Sequence, residues 1–308
     1  MEALRIVIPV IVMLIIGIVC RRTAMINKNG VDNIKKFITT VALPVSVFHA
    51  VSTAEYNKKV VWVFAIMFVV VVIAFLCGFA LKKVIEEPYR KYFPYLMTIY
   101  EGGMMAYPLY QSLMGEEYMS NIALIDVSCG IFAFGIYFGM LTVTDSGERT
   151  GVKQLVKNAF KSPVFVALVF GICVGLTGVM GEFLSTGPGM VYLSCKEMIA
   201  SPVSAMILLC VGYEFCLDKE IFGVCLKTVA VRLVLQSVLL GGVIIIAIGI
   251  GLSKPMIIGL ILYMYTIPSL CLSSFVKNDY ASRYMSTTSS IYLIITLIAY
   301  TLLATVKV

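Results

Sequence analysis

Charged residues are scarce in this chain. Asp, Glu, Lys and Arg make up 13% of the 308 residues and hydrophobic residues make up 60%, whereas typical soluble domains are about 25% charged. The apolar residues come in long blocks, and a helix that crosses a membrane needs roughly 20 of them. We therefore predict an all-helical, multi-pass membrane protein with no room for a soluble domain. Ten candidate spans lie near 4–20, 38–53, 60–81, 92–113, 119–142, 162–179, 198–216, 226–251, 255–275 and 285–306.

Residues on which much enzyme and metal chemistry depends are equally rare. The chain has a single histidine, His49, and its nine cysteines are scattered without a C-x-x-C pair, so neither a metal site nor a disulfide framework is predicted. Asp126 is the one aspartate inside a candidate span, which argues against an intramembrane aspartate dyad. The phosphate-binding pattern G-x-x-x-x-G-K-[ST] is missing as well. These absences predict a protein that is not an enzyme and needs no cofactor.

The positive charges are placed unevenly. If the N-terminus lies outside, the loops that face the cytoplasm carry 17 of the 24 Lys and Arg residues, which is the charge bias that orients membrane proteins. The basic character therefore does not indicate a nucleic-acid partner. It predicts an even number of spans with both termini outside. Arg232 lies within a span. It and Glu214 either pair across their two helices or, as we expect, reach the cytoplasmic interface with their long side chains. The basic loops are 21–37, 82–91, 143–161, 217–227 and 276–284.

Prolines indicate an internal repeat. Three pairs stand at matching places in the two halves, with spacings of 154, 158 and 160 residues: Pro9 and Pro163, Pro44 and Pro202, Pro108 and Pro268. Spans 1–5 and 6–10 are thus predicted to be two copies of one five-helix unit. Because five is odd, the second copy is inverted, as in many secondary transporters. The predicted domains are a first inverted repeat at 1–142, a cytoplasmic linker at 143–161 and a second inverted repeat at 162–308.

Two of these prolines interrupt spans that also carry polar residues. Span 4 contains YEGGMMAYPLY at 100–110, and span 9 contains YMYTIPSLCLSS at 263–274. A broken membrane helix exposes N–H groups on one side of the break and carbonyls on the other, and it is tolerated where these groups face a polar cavity. We predict that the two breaks meet and form the substrate site. Its candidate residues are Ser46, Glu101, Gly103, Tyr107, Pro108, Thr266, Pro268 and Ser269.

The same stretches carry a family resemblance. Residues 100–109, YEGGMMAYPL, align with the pattern G-N-x-G-F-x-G-x-P-L at Gly103, Pro108 and Leu109, and the segments IPSLCLSSFVKNDYASRYMSTTSS and SPVSAMILLCVGYEF are also similar. The chain resembles the auxin efflux carrier family of membrane transporters in its short bacterial form. The resemblance implies ten spans in two inverted five-helix bundles, with helices 4 and 9 crossing at their breaks and spans 1, 2, 6 and 7 as a scaffold. It also implies transport of small organic anions such as malate or malonate. Bile-acid and sodium symporters share this crossed-helix plan.

One position departs from the family pattern. Glu101 stands where the family's asparagine is expected, and a charge in mid-membrane costs about 2.5–3.5 kcal/mol on insertion scales, so it is normally paired or functional. Glu101 could carry a proton, bind sodium, or balance a cationic or zwitterionic substrate. Asp126 is either a second coupling residue or a carboxylate hydrated near the surface. The glycines at 241–242 indicate close helix packing.

The function predicted from these features is secondary active transport. The substrate is a small organic solute, an organic acid, moved across the plasma membrane by alternating access and coupled to H+ or Na+ through Glu101 and Asp126. An ion channel and a membrane sensor that does not transport remain the alternatives. The expected partners are the solute and the lipid bilayer, without nucleic acid, and a homodimer is left open.

Overall fold

The computed structural model describes residues 2–54, 56, 58–146, 160, 162–270, 272 and 276–307. Within these residues the chain is helical and forms no β-strand. Most of the predicted linker at 143–161 lies outside them. The main helices are α1 (Glu2–Arg22), α2 (Lys28–Ser52), α3 (Lys58–Leu81), α4 (Phe93–Leu96), α5 (Tyr107–Met114), α6 (119–146), α7 (Pro163–Thr177), α8 (Gly187–Glu214), α9 (Phe222–Gly249), α10 (Lys254–Met264) and α11 (Asp279–Lys307).

Six of the described helices are long and apolar enough to cross a membrane, namely α1, α2, α3, α8, α9 and α11. Two more, α7 and α10, are apolar but shorter. Their outward faces carry large aliphatic side chains, such as Val234, Ile245 and Ile298, that are more than half exposed. Side chains of this kind are stable against lipid and unfavourable against water. The prediction of an all-helical, multi-pass membrane protein is confirmed.

Several helices begin earlier than the apolar blocks predict. α2 begins at Lys28 rather than 38, α8 at Gly187 rather than 198, and α9 at Phe222 rather than 226. The start of α2 is capped by Asn27 and that of α8 by Thr186, whose side chains accept a hydrogen bond from the N–H three residues later at 2.7 and 3.2 Å. Such caps satisfy the free N–H groups of a first helical turn. The helices therefore include a polar turn that hydrophobicity alone assigns to the loop.

The two ends of the chain lie at the same face of the helix bundle. The hydroxyl of Tyr300, near the end of α11, donates a hydrogen bond to the carbonyl of Ile6, near the start of α1, at 3.1 Å. The C-terminal part of the last helix thus packs beside the N-terminal part of the first helix. This arrangement agrees with an even number of membrane crossings.

α1 and α8 approach each other closely through glycine. A Cβ added to Gly212 of α8 would overlap the carbonyl of Leu14, and one added to Gly17 of α1 would overlap the carbonyl of Leu209. Small residues at such contacts let two membrane helices pack backbone to backbone. Close helix packing was also predicted for Gly241 and Gly242 of α9. That prediction is wrong, because a Cβ on either would meet nothing within 4 Å.

We expect Gly212→Ala to destabilise the protein. The added methyl group would push α8 away from α1, and overpacking of this kind costs about 1–3 kcal/mol. Gly241→Ala is the matched control, since it adds the same group to an open helical position and gains helix propensity of about 1 kcal/mol. Thermal unfolding in detergent should place Gly212→Ala below the native protein and Gly241→Ala at or above it. Equal melting temperatures for the two variants would contradict the packing described.

On the face that carries most of the basic loops, Asp145 joins three parts of the chain. Its carboxylate accepts hydrogen bonds from the Tyr92 hydroxyl, the Lys277 backbone N–H and the Asn278 side-chain amide, each at 2.6 Å. Partial burial works to raise the pKa of Asp145, but the hydrogen bonds from Lys277, Tyr92 and Asn278 outweigh it, so its pKa lies below the ordinary value. The ionised carboxylate therefore ties the end of α6 to the segments before α4 and α11.

The Asp145 contacts predict a pH-dependent stability. Because the pKa is lower in the folded state, their contribution is complete above about pH 4, the ordinary aspartate pKa, and is lost as the pH falls through the lower folded value. We expect Asp145→Asn to lower the free energy of unfolding by about 1 kcal/mol at pH 7, since the site is partly screened by solvent. The difference should shrink below pH 4. Asp32→Asn, at an exposed aspartate on α2, is the control, and a deficit for Asp145→Asn that stayed constant down to pH 3 would contradict this account.

Candidate functional site

The two interrupted spans touch at their breaks. The chain is not helical between α4 and the wide turn Gly102–Ala106 that leads into α5, and it leaves helical geometry again after α10. There, Tyr100 and Pro268 form an isolated antiparallel bridge, and the Glu101 N–H donates to the Ile267 carbonyl at 3.0 Å. We call residues 97–101 and 265–270 together the crossing.

Glu101 binds donor groups on the chain that follows each of the two breaks. Its carboxylate accepts hydrogen bonds from the N–H of Met104 at 3.2 Å, the N–H of Leu270 at 2.7 Å and the hydroxyl of Ser269 at 3.1 Å. The side chain is only 6% exposed. Free N–H groups at a helix start carry a partial positive charge, so an anionic cap is favourable there. Glu101 thus joins the start of the helical segment leading into α5 to the far side of the break after α10.

Asp126 is a second carboxylate beside the crossing. It lies on α6 and accepts hydrogen bonds from the hydroxyls of Tyr263 at 2.5 Å and Tyr107 at 3.1 Å. It also abuts Gly102, where an added Cβ would overlap the carboxylate. Among the residues that the structure describes, no Lys or Arg forms an ion pair with Asp126 or Glu101. Asp126 is therefore not the hydrated surface carboxylate that was one of the two expectations, because two tyrosine hydroxyls hold it.

Carbonyls on the chain that leads into each break accept hydrogen bonds from side chains of α9. The Arg232 guanidinium donates to the carbonyls of Leu96 at 2.5 Å, Ile99 at 3.2 Å and Thr266 at 3.4 Å. One turn further along α9, the Gln236 amide donates to the Met97 carbonyl at 2.7 Å. Arg232 and Gln236 are both fully buried. The expected snorkelling of Arg232 is therefore wrong, because carbonyls that have lost their helical partners surround its head group.

One cavity reaches the crossing from the basic face. It has a volume of ≈ 520 Å³ and extends from the exposed Arg21, Lys28 and Arg283 to the buried Ile267 and Ser269. One of its walls is a row of hydroxyl-bearing residues of α11. That row consists of Ser286, Thr287, Ser289 and Ser290. A passage with a hydroxyl-bearing wall therefore leads from this face to Ser269, a direct partner of Glu101.

A smaller cavity of ≈ 270 Å³ lies on the other side of the crossing. Contacts between helices narrow it: Lys196 forms an ion pair with Glu116, and the Ser204 hydroxyl donates to the Gln111 side chain at 2.6 Å. Among the described residues, none lines both cavities. The two cavities lie toward opposite ends of α2 and α8, with Lys28 and Glu214 in the larger and His49 and Lys196 in the smaller. The smaller cavity is lined by residues that include Ser46, His49, Tyr107, Pro108, Gln111, Glu116, Lys196 and Ser204.

A comparison with protein families identifies one that matches the first half of the chain. The family described as membrane transport protein matches residues 3–153. Residues 3–153 of the chain belong to this transporter family. The match includes α1 to α6 with the Glu101 break, and it confirms the resemblance found in the sequence motifs. No curated protein matches the chain in a sequence search.

The predicted site residues of the transporter fall into two groups. Thr266, Pro268 and Ser269 lie at the crossing with Glu101, and the Thr266 hydroxyl donates to the Tyr263 carbonyl at 2.7 Å. The second group lies on the side of the smaller cavity. Ser46, Tyr107 and Pro108 line that cavity, whereas Gly103 faces the Leu43 side chain, which a Cβ would meet at 3.2 Å. Their roles in binding substrate remain predictions.

Sequence reasoning missed Arg232, Gln236 and Tyr100 as parts of the transporter's site. Tyr100 donates its hydroxyl to Gln236 at 2.6 Å, and its ring lies 5.4 Å from the Arg232 guanidinium. One signal in the sequence could have identified Arg232 and Gln236. They are four residues apart, so they share a helix face, and both are polar within an apolar span. Glu214, also expected to reach the interface, pairs with Lys35 of α2.

Proposed function

We propose that this membrane transporter is a secondary carrier that moves a small organic solute through the crossing by alternating access. The observation that supports this best is the pair of separate cavities that approach the crossing from opposite faces. In a carrier of this kind, the solute binds at the interrupted helices and is exposed to one side at a time. The larger, basic-face cavity would be the open one in the conformation described, with the smaller one narrowed by the Lys196–Glu116 and Ser204–Gln111 contacts.

We further propose the ten-span architecture of two inverted five-helix repeats in the plasma membrane, with both termini outside. Two features support it. The breaks occur at places that match in the two halves, before Pro108 and around Pro268, and they pair with each other in antiparallel fashion. The Tyr300–Ile6 hydrogen bond also places both ends of the chain at one face.

The proposed substrate class is a small organic acid. Three cations, Arg21, Lys28 and Arg283, line the basic-face cavity, and so do the acids Asp32, Glu214 and Asp218. Glu214 pairs with Lys35 and Asp218 with Arg283, so the attraction for an anion comes from Arg21 and Lys28, against the single charge of Asp32. Arg283 is balanced by Asp218 and Glu220, whereas Arg21 donates to the Phe215 carbonyl at 2.9 Å and keeps its charge for the cavity. The hydroxyl-bearing wall of α11 supplies donors that can orient a carboxylate or an alcohol group.

Coupling to an ion is proposed at Glu101 and Asp126, and hydrogen-bond chemistry distinguishes the two. The partners of Asp126 are two tyrosine hydroxyls, which can accept as well as donate, so a protonated Asp126 can retain both contacts. Two of the three partners of Glu101 are backbone N–H groups, which only donate. Only the Ser269 hydroxyl could accept a proton from Glu101, whereas both partners of Asp126 could accept one. We assign proton exchange to Asp126 and the role of a fixed anionic cap to Glu101.

The carrier proposal predicts saturable uptake by proteoliposomes. Labelled malonate or malate is the first probe, followed by a panel of small carboxylates and amines. An excess of unlabelled substrate inside the vesicles should accelerate uptake of the label, because a carrier returns faster when loaded. Empty liposomes are the control. Flux that does not saturate and is not accelerated by internal substrate, together with single-channel currents, would favour a channel instead.

The proposed division of roles predicts different pH profiles for two variants. Asp126→Asn should remove the pH dependence of transport, because the amide cannot exchange a proton. Glu101→Gln should reduce transport by about tenfold or more at every pH, because the amide group places a donor against a backbone N–H, and an unsatisfied buried donor costs about 1–3 kcal/mol. Glu182→Gln, in the short helix Val179–Leu184 away from the crossing, is the matched control. A native pH profile in Asp126→Asn would refute the assignment.

A further inference from the structure

Arg232 has no role in the function described so far, although it is the one arginine with no exposed surface among the described residues. It lies about 15 Å along α9 from the helix start at Phe222, at 1.5 Å per residue. That distance is half the thickness of a bilayer core of roughly 30 Å. A guanidinium at this depth is costly unless its surroundings compensate its charge.

The compensation comes from backbone carbonyls of both interrupted segments. Leu96 and Ile99 supply two of them from the end of α4 and the residues that follow, and Thr266 supplies the third just after α10. These carbonyls lost their helical partners when the helices broke, and together the last turns of a helix carry about half a negative charge. The planar guanidinium fork can bond several acceptors in different directions at once.

The charge of Arg232 is not neutralised by a carboxylate. No ion pair joins it to an Asp or Glu of the described residues. The aromatic rings of Tyr100 and Tyr292 lie 5.4 and 5.0 Å from its guanidinium carbon, distances at which a ring face attracts a cation. The environment of Arg232 therefore consists of converging carbonyl oxygens and ring faces, which is also an environment that suits a bound monovalent cation.

In carriers with interrupted helices, the carbonyl ends of the half-helices are where coupling cations bind. We propose that Arg232 is a built-in cation at the crossing, which takes the place of a bound sodium or potassium ion at the carbonyl ends of both breaks. Transport then needs no metal cation there. This inference rests on the function proposed above, because it concerns the coupling ion of that carrier.

Thermal unfolding of the purified protein tests the proposal without any transport measurement. The native protein should melt at the same temperature in sodium chloride, potassium chloride and choline chloride of equal ionic strength. Arg232→Met keeps an unbranched, apolar side chain but removes every donor, and it should melt more than about 5 °C lower in choline. Sodium or potassium at 150 mM should then raise the melting temperature of this variant by about 3 °C or more, because the cation binds the vacated carbonyls of the folded state.

Two further variants sharpen the test. Arg90→Met is the matched control, since Arg90 also donates to a carbonyl, that of Ile85 at 3.0 Å, but lies away from the crossing. It should gain no dependence on sodium or potassium. Arg232→Lys keeps a positive charge with a compact head group, and it should remain insensitive to these ions.

Two results would overturn the proposal. The first is a native protein that is stabilised by sodium or potassium relative to choline. The second is a folded Arg232→Met variant whose melting temperature is the same in all three salts. If Arg232→Met does not fold, the melting temperatures of the native protein and of Arg232→Lys in the three salts decide the question. Stabilisation of either by sodium or potassium would overturn the proposal. Failure of the proposed function would appear separately, as an absence of solute uptake by liposomes, and would leave the salt dependence of melting unchanged.

Discussion

The crossing depends on one constraint, which is that a helix broken inside a membrane leaves backbone groups without partners where water cannot supply them. The chain meets this constraint with charged side chains of opposite sign at opposite helix ends. Glu101 accepts from N–H groups on the chain that follows each break. Arg232 and Gln236 donate to carbonyls on the chain that leads into each break. Each of the two charges therefore stabilises a break that would otherwise be prohibitively costly in lipid.

These bonds join distant parts of the chain into one unit. Glu101 connects the first half of the sequence to residues 269–270, and Arg232 connects α9 to the ends of α4 and α10. Sliding α9 away from the crossing would leave buried carbonyls unsatisfied, at about 1–3 kcal/mol for each group. The Lys196–Glu116 contact at the smaller cavity is a weaker constraint, since it includes a half-exposed glutamate and exposed ion pairs contribute at most about 1 kcal/mol. The energetics thus favour movement around an intact crossing.

Much of this arrangement could be predicted from the sequence, and the failures have physical causes. Apolar block length identified the membrane class, and glycine with proline beside Glu101 indicated where span 4 breaks. Arg232 was misplaced because its depth was judged from an apolar block starting at 226, whereas α9 begins at Phe222. Gly212 and Gly241 are indistinguishable in a helical sequence, because only the neighbouring helix decides whether a Cβ fits. The cavities, likewise, depend on contacts such as Ser204–Gln111 that no local pattern encodes.

The charges at the crossing bear on whether an organic acid can bind there. With Glu101, Asp126 and Arg232 all ionised, the buried side chains described at this point carry a net charge of minus one. A substrate carboxylate would add a second negative charge, and two like charges roughly 6 Å apart repel by about 3 kcal/mol at an effective dielectric of 20, a loss of over 100-fold in affinity. A proton on Asp126 removes that repulsion while its tyrosine contacts persist. Arg232 offers an acid only its unpartnered Nε–H, because both of its terminal nitrogens already donate to carbonyl oxygens. If the solute is the proposed organic acid, it would bind this crossing most favourably together with a proton, and the departure at Glu101 from the family's asparagine is then compatible with an anionic solute.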